Sequence, residues 1–127
     1  MAKHEREDLE EFQSYELSLK VHLSRQRIRD WVNEYGADNC YVRMKLSPES
    51  LVLLHLVKSY DENIKALFED REDMMGITSW MASEDEQGVE DWLLYGCNKY
   101  DSENPESNPM AFWTKADVFE YIKQNTL

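Results

Sequence analysis

The sequence predicts an α/β fold in which helices flank a small, mainly parallel sheet of about three strands. Short apolar segments with strand spacing alternate with longer segments of helical spacing, and this alternation is typical of a parallel sheet covered by helices. A strand pattern at 40–46 also runs directly into a serine–proline helix start at Ser47 and Pro48. At 127 residues, the chain is long enough for one domain, 1–127.

The first third of the chain is predicted to be helical. Residues 1–11 are acidic and predict a frayed helix start. Apolar residues then recur at helical spacing over 17–35. Gly36 follows them, and glycine is the residue type that commonly ends a helix. A turn at 37–39 leads into the first strand.

The next segment is predicted to be a strand followed by a helix. Alternation places Val42, Met44 and Leu46 on one face of the strand. The helix is predicted to begin at Ser47, because serine caps helices well and a proline in the first position loses no needed N–H. Its apolar pattern continues to about Tyr60.

Two further strands and a helix are predicted in the acidic second half of the chain. Apolar residues predict strands at 64–68 and, more weakly, at 75–82. A helix is predicted over 84–95, and Gly96 is placed to end it.

The chain is predicted to end in a loop and a helix. Residues 97–112 carry Pro105 and Pro109 and predict a loop. The closing helix begins at Thr114, with Asp117 as its capping-box partner three positions later. Its core-facing residues are predicted to be Val118, Phe119, Tyr121 and Ile122.

Negative charge is concentrated in the second half of the chain. The chain has 26 acidic and 14 basic residues, a net charge of −12. Residues 69–112 contain twelve of the acids and two bases, Arg71 and Lys99, so this stretch carries −10. Free nucleic acid is a poor ligand for such a surface, because its binding depends on cations that displace counterions. A basic protein is the better partner, and solubility alone is the alternative explanation.

No catalytic or metal-binding pattern is recognised in the sequence. Cys40 and Cys97 have neither CxxC nor metal-ligand spacing, which is typical of a reduced, cytoplasmic protein. His22 and His55 lie among leucines without a serine or cysteine partner at recognisable spacing, and we expect them in the core or at its boundary. We therefore predict no enzyme activity, no catalytic residue, no metal and no cofactor. The charged N-terminus and the short apolar runs predict no signal peptide and no membrane contact.

Three segments carry a resemblance to a known family. Segments 14–31, 92–102 and 108–114 resemble, in order, the opening helix and the late G-C-N-A-F-D-S and P-M-S-F-W-T segments of the phosphoadenosine phosphosulfate reductase family. That family belongs to the ATP pyrophosphatase-like nucleotide-binding domains, and the resemblance looks closest to phage-borne and bacterial relatives. It covers most of the chain after residue 13 and implies a truncated adenine-nucleotide-hydrolase-like fold.

The phosphate loop of that family is the part that this chain lacks. The family's S-G-G-K-D-S falls, without a gap, on a vestigial loop formed by Leu46, Ser47, Pro48, Glu49 and Ser50, of which only Ser50 agrees. Loop glycines let backbone N–H groups approach a phosphate, and the lysine adds charge. Pro48 removes one N–H donor, and the negative charge of Glu49 repels a phosphate. We therefore expect this loop to be a self-capped helix start that binds no cofactor.

The family's late basic residues are also replaced by acids. Where relatives tend to carry S-K-R-P-K-S, residues 102–107 read S-E-N-P-E-S. The residues predicted to bind a partner are Glu69, Asp70, Glu72, Asp73, Glu84, Asp85, Glu86, Glu90, Asp91, Glu103 and Glu106. A segment of the family is missing between about 73 and 76, and this deletion is expected to uncover a sheet edge or apolar patch that a homodimer would cover.

Two functions follow as hypotheses. The first is a non-enzymatic, phage-type inhibitor resembling an anti-CRISPR protein, located in the host cytoplasm if phage-encoded. It would engage a basic nucleic-acid-binding protein, such as a CRISPR effector, by imitating phosphate charge. The alternative is a residual module that binds or hydrolyses adenine nucleotides.

Overall fold

The computed structural model describes residues 3–100 and 103–127. Residues 1–2 of the predicted frayed start, and residues 101–102 of the segment that carries the resemblance, lie outside them. The described helices are α1 (Arg6–Ser14), α2 (Leu17–Tyr35), α3 (Pro48–Tyr60), α4 (Val89–Tyr95) and α5 (Lys115–Asn125). The described strands are β1 (Cys40–Arg43), β2 (Lys65–Leu67), β3 (Met75–Ile77), β4 (Asn98–Lys99) and β5 (Glu106–Ser107).

The strands form one mixed sheet that is mostly parallel, in the order β2-β1-β3-β5-β4. β1 lies between β2 and β3 and is parallel to both, β5 is parallel to β3, and β4 is antiparallel to β5. The predicted α/β class is therefore confirmed. The prediction of about three strands was wrong, since the described residues contain five.

The two missed strands lie in the segment that was predicted to be a loop. β4 and β5 have two residues each, and all four are polar, so they give no apolar alternation. Their pairing is instead held by the Ser107 hydroxyl, which donates to Asn98 Oδ1 at 2.5 Å. The Asn108 N–H also donates to the Cys97 carbonyl at 2.8 Å.

The N-terminal helical region consists of two helices. α1 begins inside the segment predicted to be frayed, where Glu5 and Asp8 form a capping box. Tyr15 and Glu16 are extended and separate α1 from α2. α2 ends before Gly36 as predicted, and the positive φ of 87° at Gly36 is one that glycine adopts without strain.

β1 and β3 are shorter than predicted. β1 ends at Arg43, although the Met44 N–H still donates to the Leu67 carbonyl at 2.8 Å. Beyond it Leu46 is 95% exposed, so its predicted place on the buried face was wrong. β3 ends at Ile77 rather than at residue 82, because only the next N–H, that of Thr78, finds a strand partner, the Ser107 carbonyl.

The predicted helix over 84–95 consists of a short 3-10 helix, Glu86–Gly88, followed by α4. Gly88 lies directly against the Trp80 indole, and a Cβ at this position would approach the ring to 2.5 Å. This close approach requires glycine. Gly96 ends α4 as predicted, again with a positive φ, of 76°.

The closing helix α5 has its predicted start. The Thr114 hydroxyl accepts from the Asp117 N–H at 3.3 Å, and Asp117 Oδ2 accepts from the Thr114 N–H at 2.8 Å. Val118 and Tyr121 are buried as predicted, whereas Phe119 is 51% exposed. The predicted contact of Phe119 with the core was wrong, because the buried positions of α5 are spaced three apart and Phe119 falls between them.

The two faces of the sheet differ. Val42, Ile77 and Ser107 are fully buried on one face, where α3 contacts β1 and α2 contacts β5. Tyr41, Gly76 and Glu106 are aligned by the strand register and, because side chains alternate along a strand, they face the other way. Across the described parts of the chain, no helix combines the length and the apolar character needed to cross a bilayer.

Candidate binding cleft

A cleft of about 560 Å³ lies on the sheet face that carries Tyr41 and Gly76. Tyr41 is only 4% exposed, and a Cβ at Gly76 would lie 3.5 Å from its ring, so the glycine leaves room for this ring to form the floor. The walls are the loop between β2 and β3 and the segment that leads into β5. The lining residues of the walls and rim include Arg43, Asp70, Arg71, Glu72, Met74, Glu103, Asn104, Pro105 and Glu106.

The loop between β2 and β3 is tied to the floor of the cleft. The Arg71 N–H donates to the Tyr41 hydroxyl at 3.0 Å. The Arg71 guanidinium binds the Asp73 carboxylate through both oxygens, at 2.9 and 2.8 Å. This hydrogen bonding, together with the opposite charge, raises the pKa of Arg71 and lowers the pKa of Asp73.

Two other acids of this loop also have a cation nearby. Asp70 lies 2.6 Å from Arg43, which ends β1, and Glu69 lies 4.0 Å from Arg71. Sequence reasoning had not identified Arg43 and Arg71 as part of the site. Arg43 falls in the middle of the strand predicted at 40–46, and only the observed end of β1 places it at the carboxyl end of a parallel strand, where clefts of α/β sheets commonly form.

Three carboxylates of the cleft have no cation partner within the described ranges. Among the residues that the structure describes, no lysine, arginine or histidine nitrogen lies within 4.0 Å of Glu72, Glu103 or Glu106. Glu106 accepts a hydrogen bond from the Asn108 amide at 3.3 Å. The cleft therefore holds two arginines that are each paired internally, and a surplus of negative charge opposite them.

The remaining predicted acids lie in α4 or just before it, and two of them adjoin the cleft. A smaller cavity of about 130 Å³ is lined by Asp85 and Asp91 and shares Glu106 with the cleft. The structure thus brings three acidic segments, separated in the sequence, onto one surface.

Several of the acids around α4 are paired with cations. Arg6 lies 3.6 Å from Glu86 and 3.9 Å from Glu90. Lys99 lies 3.0 Å from Asp91, and in a separate pair Lys115 lies 3.6 Å from Glu84. Of the eleven predicted acids, all within the described residues, seven lie within 4.0 Å of a cation. The Asp85 carboxylate accepts from the Gln87 N–H at 3.0 Å.

The vestigial loop is closed on itself. The Ser47 hydroxyl accepts from the Ser50 N–H at 3.2 Å, so the predicted cap is confirmed. The Ser50 hydroxyl accepts from the Lys45 N–H at 2.9 Å and lies 3.2 Å from the Ser79 hydroxyl. Pro48 occupies the first helical position as predicted. Two N–H groups of this turn, those of Lys45 and Ser50, are therefore already bonded to serine hydroxyls.

Cys40 and Cys97 are both free and buried. No group of three or more His, Cys, Asp or Glu residues is arranged to hold a metal in the part of the chain that the structure describes. Burial raises the pKa of Cys40 to about 11 and also raises the pKa of Cys97, which keeps both thiols protonated at neutral pH.

The two histidines differ in their environment. His55 is half-buried, and its Nδ1 lies 2.6 Å from the Tyr121 hydroxyl. This boundary position agrees with the prediction for His55. His22 is exposed and lies 3.1 Å from the Gln26 amide on the same helix, so its predicted place at the core was wrong.

Comparison of the chain with protein-family models, with curated proteins and with solved structures finds no match in any of the three. The resemblance of segments 14–31, 92–102 and 108–114 to the phosphoadenosine phosphosulfate reductases therefore stays a prediction.

Proposed function

We propose that this protein is a non-enzymatic binding protein whose acidic cleft engages a basic protein. One observation supports this most directly: Glu72, Glu103 and Glu106 come from two distant segments, line one cleft, and have no cation within 4.0 Å among the described residues. Lysine and arginine side chains of a partner would complete these pairs. The net charge of −12 would add long-range attraction and accelerate association.

In its most specific form, the proposal is an anti-CRISPR-like inhibitor of phage type. Duplex nucleic acid presents one negative charge per ~1.7 Å of its axis, and a row of carboxylates can occupy the same basic groove on a nuclease. The cleft acids and the acids around α4 adjoin through Glu106, which would extend the negative surface beyond a single pocket. The partner would then be a basic nucleic-acid-binding protein, and the inhibitor would compete with its nucleic acid.

The internal ion pairs of the cleft support binding rather than oppose it. Exposed ion pairs contribute only about 0–1 kcal/mol, so they leave the carboxylates available for exchange. The bidentate contact between Arg71 and Asp73 and the bond from the Arg71 N–H to Tyr41 fix the loop. A fixed loop loses less conformational entropy on binding than a mobile one.

The proposal is tested by affinity purification from the native host at low and high salt, followed by binding measurements with the purified partner. The variant is Glu72→Gln/Glu103→Gln/Glu106→Gln. The matched control is Glu10→Gln/Glu34→Gln/Glu62→Gln, which changes the net charge equally at exposed acids that do not line the cleft. Each charge-assisted contact contributes about 1.5–3 kcal/mol, so the cleft variant is expected to bind at least tenfold more weakly than the control.

Two results would contradict the proposal. If both triple variants weaken binding equally, net charge alone is responsible and the cleft has no specific role. If no salt-sensitive basic partner is recovered, charge complementarity is not the basis of the function.

The alternative, a residual adenine-nucleotide module, has one observation in its favour. Arg43 and Arg71 both line the cleft, and arginines are common phosphate ligands. Each already has an acid partner, however, and at the vestigial loop the Lys45 and Ser50 N–H groups already donate to serine hydroxyls. Calorimetry with ATP and with phosphoadenosine phosphosulfate separates the two functions: micromolar binding would favour the alternative, and an absence of heat would refute it.

A further inference from the structure

A third cavity, of about 160 Å³, lies between the N-terminal segment, α2 and the turn that follows α4. Its walls are largely aromatic and are formed by His4, Phe12, Trp92, Tyr100 and Phe112. It shares Trp92 with the small cavity beside α4 but has no residue in common with the acidic cleft. It is therefore a separate candidate site.

The rings of this cavity are held by mutual contacts. The His4 imidazole stacks on the Trp92 indole, with centroids 4.5 Å apart and planes 15° from parallel. Phe12 meets Trp92 edge-on at 6.0 Å and Phe112 at 5.8 Å. The His4 N–H donates to the Leu93 carbonyl at 2.9 Å, which fixes the N-terminal segment over α4. The aromatic wall is thus preformed.

The cavity is also cationic, although the protein as a whole is strongly acidic. Lys3 and Arg27 line it, and within residues 3–100 and 103–127 no carboxylate lies within 4.0 Å of either side-chain cation. Asp30 lines it as well, but its carboxylate accepts from Arg29 at 3.1 Å. A half-buried guanidinium without an acid partner favours a bound anion.

Lys3 and Arg27 also influence the pKa values of two groups that line this cavity, His4 and Cys97. Burial lowers the pKa of His4, Asp8 opposes that change, and Lys3 and Arg27 lower the pKa further. Burial raises the pKa of Cys97, and the Trp92 N–H, Arg27 and Lys3 oppose that rise. The two cations therefore act on two groups that line this cavity.

We propose that this cavity binds a small aromatic carboxylate of about the size of benzoate. The carboxylate would lie on the Arg27 fork, which suits bidentate contact with two oxygens, and the ring would lie against Phe12 and Trp92. A cavity of about 150 Å³ accommodates a benzene ring, so the volume of this one fits a single ring and not a nucleotide. The site is independent of the function proposed for the acidic cleft.

The proposal is tested by NMR titration of the intact chain with benzoate, and with benzylamine as a ligand of similar shape and opposite charge. Benzoate is expected to bind and to raise the pKa of His4, because a negative charge beside the imidazole favours its protonated form. His22 and His55 do not line the cavity, so their ring signals serve as internal references for the titration. Benzylamine is expected to produce neither effect.

Variants of the cation complete the test. Arg27→Gln is expected to weaken benzoate binding about tenfold or more, whereas Arg25→Gln, at an exposed position of the same helix outside the cavity, is expected to leave it unchanged. Arg27→Lys keeps the charge but loses the bidentate geometry, so its affinity for benzoate is expected to lie between those of the other two variants. It tests the proposal even if Arg27→Gln does not fold. Equal binding of benzylamine, a wild-type affinity in Arg27→Gln, or an unchanged pKa of His4 would each overturn the proposal.

Discussion

Replacing Lys20 with methionine is expected to lower the free energy of unfolding by about 3 kcal/mol. The Lys20 side chain is 2% exposed, and its Nζ donates to Asp117 Oδ2 at 2.5 Å and to the Gln13 carbonyl at 2.7 Å. Breaking a buried ion pair from one side costs about 3–5 kcal/mol. The lower end applies here, because Asp117 is 16% exposed and keeps its two bonds from Thr114.

The assay is urea unfolding followed by tryptophan fluorescence, with thermal unfolding as a second measurement. The midpoint is expected to fall with an unchanged m value, and the melting temperature is expected to drop by roughly 10–15 °C for a chain of this size. Lys115→Met is the matched control, since this lysine is 64% exposed and 3.6 Å from Glu84, and it should cost less than about 1 kcal/mol. A cost for Lys20→Met that is no larger than the control would refute the reasoning.

A second prediction concerns the same ion pair, Lys20 with Asp117. Asp117→Asn leaves the Lys20 ammonium buried without a counter-charge and weakens the cap of α5, so it is expected to cost about 4 kcal/mol. Combining it with Lys20→Met removes the stranded charge. The double variant should therefore be less destabilised than the sum of the two single variants. Strict additivity would show that the two side chains do not interact in solution.

Three further predictions use other sites. Gly88→Ala should destabilise the fold by about 1–3 kcal/mol in urea unfolding, because its Cβ would meet the Trp80 ring at 2.5 Å. A smaller effect would show that the indole moves freely. The pKa of His4 is lowered by burial, so its contribution to stability is present above the ordinary pKa of about 6.5 and is lost as the pH falls below it. His4→Phe should flatten this part of the pH dependence, and equal slopes would contradict the assignment. Cys40 and Cys97 should resist labelling by a thiol reagent at pH 8 and react fully in urea, whereas rapid native labelling would show an opening that exposes the thiols.

Those parts of the fold that depend on local chemistry could be predicted from the sequence. The start of α3 follows from Ser47 and Pro48, and the start of α5 follows from the pairing of Thr114 with Asp117. Gly36 ends α2 through a backbone conformation that few other residues adopt. Each of these signals depends only on residues within four positions of one another, so it can be recognised in a single sequence.

The remaining parts depend on contacts between distant segments. β4 and β5 exist because Ser107 reaches Asn98 and because β5 pairs with β3, and no local pattern encodes either contact. The same limit applied to the cleft. The sequence identified the acids, but it could not indicate that Arg43 lies beside Asp70, since that contact requires β1 and β2 to pair in register.

The segments that resemble the reductase family and those that depart from it occupy different places in the structure. The Asn98 amide donates to the Arg27 carbonyl at 2.9 Å. The Trp113 indole N–H donates to the Ser24 hydroxyl, which in turn donates to the Pro109 carbonyl at 2.7 Å.

The side chains that make these bonds are buried and hold the late segments against α2, so their role is structural. Among the departing residues, Leu46 and Glu103 are exposed and Glu106 lies in the rim of the cleft, whereas Glu49 is buried at the start of α3. A resemblance confined to the framework carries information about the fold and none about the ligand. The function of this chain must therefore be argued from its own surface, where the charge is opposite to that of a phosphate-binding site.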